Sequence, residues 1–150
     1  YEKLAEIIRL RFTDSKDTLK ELYARMVFNI LCGNTDDHAR NHAAFWDGKA
    51  LTLTPAYDIC PQNRAGGEAT QAMLLNGSNR FSTLKNCVEA AVHFHLSKED
   101  AKSIITQKKS TIEENWDVVC DEANLSEVER ELFWHRQFLN PYAFEGWGEE

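Results

Sequence analysis

The stretch Asn34-Thr35-Asp36-Asp37-His38-Ala39-Arg40-Asn41-His42-Ala43-Ala44-Phe45-Trp46-Asp47-Gly48 decides how the chain is read. Its first half is a concentration of polar side chains. From His42 to Trp46 the pattern changes to that of a short strand, and Asp47-Gly48 is a hairpin turn signal. Leu51-Thr52-Leu53-Thr54 returns with period-two alternation, and Pro55-Ala56-Tyr57-Asp58 follows. A hairpin brings its ends together. Asp36, Asn41 and Asp58 are therefore expected near one another, although 22 positions separate the two aspartates.

Outward from the hairpin the periodicity is helical. Leu4, Ile7, Ile8 and Phe12 mark a first helix ending near Thr13-Asp14-Ser15. Leu19, Leu22, Tyr23, Met26, Val27 and Ile30 form the core-facing stripe of a second, capped by Ser15 or Asp14 and stopped by Gly33. Pro61 to Gly77 reads as a loop. Beyond it, Leu84, Cys87, Val88 and Ala91 form another stripe. A long helix then opens at Ser97-Lys98-Glu99-Asp100, with Ala101, Ile104, Ile105, Ile112, Trp116 and Val119 facing inward. Ser126-Glu127-Val128-Glu129 fits a capping box, and the helix it opens is expected to run through Leu139, before Asn140-Pro141. Trp116, Phe133, Trp134 and Phe138 read as core anchors, whereas the tail from Pro141 to Trp147 could dock on the body or reach a partner. The expected fold class is mainly α with a small β-hairpin, in a single domain over residues 1–150.

Composition narrows the function classes. At 43% hydrophobic and 27% charged residues the chain is globular in character, and no apolar run is long enough to span a membrane. Cys32, Cys60, Cys87 and Cys120 are widely spaced with no CxxC pair, as expected of reduced thiols in a cytoplasmic protein. The net charge of −7 is uneven. Up to Leu96, 11 acidic residues balance 11 basic ones, whereas Ser97 to Glu150 carries 13 acidic and 6 basic residues. That final third is a solvated acidic surface, unsuited to holding phosphate backbones. The first residue is not methionine and falls inside a helical pattern, as expected of a piece of a longer protein.

A cluster of Asp36, Asn41 and Asp58 suggests particular chemistry. One carboxylate can accept a hydroxyl proton, while an amide oxygen and a second carboxylate offer hard oxygen ligands to Mg²⁺. In protein kinases a catalytic-loop Asp, an Asn five positions later and an Asp after the next hairpin have these roles. Taken singly, each residue also suits a turn or cap. His93 and His95, at i and i+2 around Phe94, cannot share a helix face and are no metal pair.

The run Thr35-Asp36-Asp37-His38-Ala39-Arg40-Asn41, followed by Leu53-Thr54-Pro55-Ala56-Tyr57-Asp58, resembles the HipA family of bacterial toxin–antitoxin kinases, with its T-D-x-H-x-K-N loop and L-T-P-x-Y-D metal motif. Met73-Leu74-Leu75-Asn76-Gly77 and the closing helices are similar to that family's helical C-terminal lobe. The resemblance implies a serine/threonine protein kinase using ATP and Mg²⁺. Asp36 would be the catalytic base, and Asn41 and Asp58 the metal ligands. His38 and Arg40 would lie towards the phosphates, Arg40 replacing the family's usual lysine. Asp37 would be a solvated neighbour and Tyr57 a packing residue. The implied partners are a protein substrate such as an aminoacyl-tRNA synthetase, and a HipB-like helix-turn-helix antitoxin through which any DNA contact would be indirect.

A kinase also needs a phosphate-covering loop and a strand lysine. Neither is visible in these residues, and Gly66-Gly67 follows the metal aspartate, on the wrong side of the chain for that work. The 150 residues alone are thus expected to fold but to bind ATP weakly. Two other readings remain open: a metal-dependent hydrolase using Asp36, Asp37, His38 and Asp58, and a non-catalytic helical module that binds an antitoxin.

Overall fold

The computed structural model of the chain describes residues 1–64 and 67–148. Gly66 thus lies outside the described residues, and Gly67 is exposed. Five α-helices and one two-stranded antiparallel sheet appear among the described residues: α1 (Glu2–Arg11), α2 (Ser15–Leu31), β1 (Ala44–Trp46), β2 (Leu51–Leu53), α3 (Leu84–Ala90), α4 (Lys98–Glu122) and α5 (Glu127–Phe133). The fold is mainly helical with one small hairpin.

The core is built on α2. Its stripe of Leu19, Leu22, Tyr23, Met26, Val27 and Ile30 is buried, and α1, α3 and α4 pack around it through Ile8, Leu84, Cys87, Ala101 and Ile105. Tyr23 stacks edge-on against Phe94, with ring centroids 5.2 Å apart, and its hydroxyl donates to the Cys87 carbonyl at 3.0 Å. The buried phenol keeps an acceptor, so its burial leaves no orphaned polar group. Ser97 and Ser126 cap α4 and α5 by accepting from the Asp100 and Glu129 amides. The Ser126 amide donates in turn to the Glu129 carboxylate, completing the capping box. Asp14 occupies the N-cap of α2 without a side-chain capping bond.

Two sequence expectations change, and one left open is decided. The last helix stops at Phe133 rather than Leu139, because Trp134 turns extended to lay its ring on Trp116, 4.8 Å away, and Phe138 joins them at 4.9 Å. The chain then bends through positive φ at His135 and Leu139, and the Leu139 amide donates to the Leu31 carbonyl at 2.8 Å. Val119 does not face inward. It is 53% exposed, whereas Cys120 beside it is buried. The tail docks on the body: Asn140 caps a 3-10 turn over Pro141–Phe144, with Tyr142 and Ala143 buried.

Two junctions seat the hairpin. Beside its turn, the Thr13 amide donates to the Leu51 carbonyl at 3.2 Å, tying the end of α1 to β2. At the end of α2, Gly33 adopts φ +75°, and a Cβ there would sit 2.5 Å from the Gln137 carbonyl oxygen. Only glycine satisfies both demands, and the polar loop starts at this point.

Candidate functional site

The site grows from the register of the hairpin. Ala44 faces Leu53, Phe45 faces Thr52 and Trp46 faces Leu51, and the Thr54 amide extends the ladder to the Ala43 carbonyl at 3.0 Å. Asp47 closes the turn by accepting from the Lys49 and Ala50 amides, which holds its carboxyl below the usual carboxylate range. With the strands in this register, the loop before β1 and the segment after β2 leave the sheet side by side.

Asn41 and Asp58 meet there. The Asn41 Nδ2 donates to Asp58 Oδ2 at 2.6 Å, across 17 residues of chain. Asn41 is buried at the end of the 3-10 turn Ala39–Asn41, and its Oδ1 accepts from the His38 amide at 3.1 Å. Asp58 is exposed and has φ +56°, a left-handed conformation that aspartate tolerates better than most residues and that often marks a working site. Its Oδ1 makes no hydrogen bond to a described residue. Tyr57 adds a second tie between the two motifs, its hydroxyl donating to the Arg40 carbonyl at 2.7 Å. The ring is 43% exposed, so Tyr57 is a strut rather than the packing residue expected from the sequence.

The remaining candidates are arranged less tightly. Asp36 is exposed, and its carboxylate makes no hydrogen bond to any described residue. The Arg40 guanidinium is likewise exposed and unpaired among the described residues. His38 is half-buried, and its Nδ1 is enclosed without a partner among the described residues. The structure thus joins Asn41 to Asp58, places Asp36, His38 and Arg40 on the same short loop, and shows no bond from Asp36 to the Asn41–Asp58 pair.

Asp37 differs most from its expected role. It is no solvated neighbour: its side chain is only 5% exposed and that of His42 6%. The His42 Nε2 lies 3.0 Å from both Asp37 oxygens, and the Tyr1 hydroxyl donates to Oδ2. Burial first, and then the Asp37 carboxylate, push the Tyr1 phenol well above its ordinary value. No sequence signal marks Tyr1 as a partner 36 positions away. The His42-to-Asp37 spacing is visible, but it has no standard helical or strand meaning.

The family model of the HipA-like C-terminal domain matches residues 1–116. The chain belongs to that family. No characterised protein and no solved structure is matched. The HipA-like match takes in the polar loop, the hairpin, Asp58, α3 and most of α4, and stops at Trp116, one of the aromatic residues on which the end of α5 closes.

The donor set of this HipA-like domain suits magnesium and phosphate. Asn41 touches Asp58 through its amide nitrogen while its oxygen accepts from the His38 amide; turned over, that amide would set an oxygen beside the carboxylate, the hard ligands that Mg²⁺ accepts, with water and phosphate oxygens completing its shell. The enclosed Nδ1 of His38 leaves a polar group beside the site in need of a partner. A hydrolase centre fits less well. Asp37, one of its four ligands, is already engaged by His42 and Tyr1, and no three His, Cys, Asp or Glu side chains gather among the described residues. No described helix is long and apolar enough to cross a membrane.

Proposed function

We propose that residues 1–150 form the C-terminal lobe of a serine/threonine protein kinase of the HipA toxin type, which transfers the γ-phosphate of ATP to a protein hydroxyl. The observation that carries this reading is the 2.6 Å hydrogen bond from Asn41 Nδ2 to Asp58 Oδ2, which brings an amide and a carboxylate of the two motifs together; with the amide turned over, its oxygen and Asp58 would offer Mg²⁺ two hard ligands. Asp36 has the free, exposed carboxylate required of a base that accepts the substrate hydroxyl proton. Asn41 and Asp58 would hold Mg²⁺, which when bound neutralises charge on the phosphates. Arg40 is unpaired among the described residues and can turn its guanidinium towards phosphate oxygens, and His38 would donate to the same group once its ring turns out of its enclosure.

The partners that follow are a protein substrate, with an aminoacyl-tRNA synthetase the first to try, and a helix-turn-helix antitoxin. The setting is the bacterial cytoplasm. The test uses the full-length protein and its Asp58→Asn variant with Mg·ATP, read by intact mass. The wild type should gain the mass of phosphate on itself or on an added acceptor protein, and the variant should not. Wild type that binds ATP yet transfers nothing to any hydroxyl acceptor would refute the reading in favour of a binding module.

A further inference from the structure

From the buried pairing beneath the loop we infer that Asp37 and His42, completed by Tyr1, are positioning residues that set the spacing of the catalytic loop. The inference rests on the kinase reading for its consequence in turnover. Asp37 follows Asp36 directly, and His42 follows Asn41 directly. A bond between Asp37 and His42 therefore closes a ring that holds the metal ligand Asn41 inside it and carries the base Asp36 at its mouth. While the outer residues Asp36 and Arg40 face solvent, this inner pair is almost fully enclosed.

The geometry favours a rigid rung. Opposite a carboxylate, the nitrogen that donates is Nε2, and it is shared between both Asp37 oxygens at 3.0 Å each. The Tyr1 hydroxyl supplies a second donor to Oδ2, and the Tyr1 ring meets the His42 ring edge-on, with centroids 6.0 Å apart. A buried carboxylate holding two donors resists displacement, because losing either one leaves charge enclosed without compensation. The other nitrogen of His42, Nδ1, is enclosed with no partner among the described residues, so Nε2 makes the hydrogen bonds that hold the ring. The His42 side chain also borders an apolar cavity of about 130 Å³ lined by Leu4, Ile8, Phe12 and Leu53 among others. That space allows a purely apolar ring at position 42 without overpacking.

Two amides within the ring report its shape without nucleotide or metal. The His38 amide donates to Asn41 Oδ1, and the Asn41 amide donates to the His38 carbonyl at 2.9 Å. Amide hydrogen exchange is compared in full-length wild type, His42→Phe, His42→Gln and Asp37→Asn. In His42→Phe and Asp37→Asn the two loop amides should exchange about tenfold or more faster, as expected when one buried hydrogen bond is lost. Amides of α2 should be unchanged, and His42→Gln, which restores an N–H to Asp37, should return the loop amides to within about threefold of wild type. In Mg·ATP turnover, His42→Phe should lower kcat more than it raises KM for the acceptor. Loop amides at the wild-type rate in His42→Phe would overturn the inference, as would equal acceleration of loop and α2 amides in all three variants. Faster loop exchange with unchanged kcat would overturn its catalytic part. A wild type that transfers no phosphate while its loop amides respond as expected would refute the kinase reading and leave the spacing role standing.

Discussion

Replacing Gly33 by alanine tests the junction on which the polar loop is seated. Two penalties act together there. At φ +75° an L-residue bears a steric cost of roughly 1–2 kcal/mol. The added Cβ would also stand 2.5 Å from the Gln137 carbonyl oxygen and 3.1 Å from its carbon, and backbone atoms cannot move aside as a side-chain tip can. Relieving that overlap adds about 1–3 kcal/mol. Gly48 separates the two contributions. It has φ +97° at the hairpin turn, but nothing lies within 4 Å of its Cβ position, so Gly48→Ala should show the conformational cost alone. In urea denaturation Gly33→Ala should lose about 2–5 kcal/mol and Gly48→Ala about 1–2 kcal/mol. The larger loss is a substantial share of the roughly 5–15 kcal/mol that a domain of this kind has in total. Gly33 also accepts through its carbonyl from the Gln62 and Thr35 amides, so displacing it should disturb the loop that follows. Equal destabilisation by the two alanines would refute the claim that close approach to Gln137 fixes this glycine.

Two further outcomes follow from burial. Of the four thiols only Cys60 is exposed, so a thiol reagent should modify one cysteine quickly in the native chain and the other three only after unfolding; two fast-reacting thiols would contradict the packing around Cys32, Cys87 and Cys120. Stability should also fall in alkali. Burial pushes the Cys32 thiol up to about 12 and raises Cys87 and Tyr23 as well. These groups stay protonated in the folded chain while the unfolded chain begins to lose protons near about 8.5 for thiols and about 10 for phenols. Their contribution is fully present below those values and is lost as pH rises towards the folded ones. Denaturation midpoints that stay flat from about pH 8 to pH 11 would contradict this.

What the sequence made legible was local. Asp47-Gly48 marks the hairpin because the turn needs those residues within four positions, and Ser97 and Ser126 mark helix starts because a cap bonds three residues ahead. The i, i+3, i+4 stripe of α2 is readable for the same reason. The convergence of Asn41 and Asp58 was also within reach, since one hairpin lies between them. The features that escaped depend on distant partners. Asp37 looks like any charged loop residue until Tyr1 and His42 enclose it. The end of α5 is set by Trp116, 18 residues before Trp134, and helical periodicity continues past Phe133 without any sign of that stacking. Val119 shows the reverse failure. An apolar residue near the right phase reads as core, yet among the described residues that side of α4 is left open, with Val118 and Val119 both exposed.

Phosphoryl transfer and Mg·ATP binding measured in parallel on full-length wild type, Asp36→Asn and Asp58→Asn test the central claim most directly, because the proposed function gives the two aspartates different roles. Asp36→Asn should bind Mg·ATP about as wild type does and lose roughly 10²–10⁴-fold in transfer, the usual contribution of a positioned base. Asp58→Asn should lose the Mg²⁺ dependence of nucleotide binding together with transfer. Both variants transferring phosphate at the wild-type rate, or Asp36→Asn abolishing Mg·ATP binding while Asp58→Asn leaves it intact, would contradict the account.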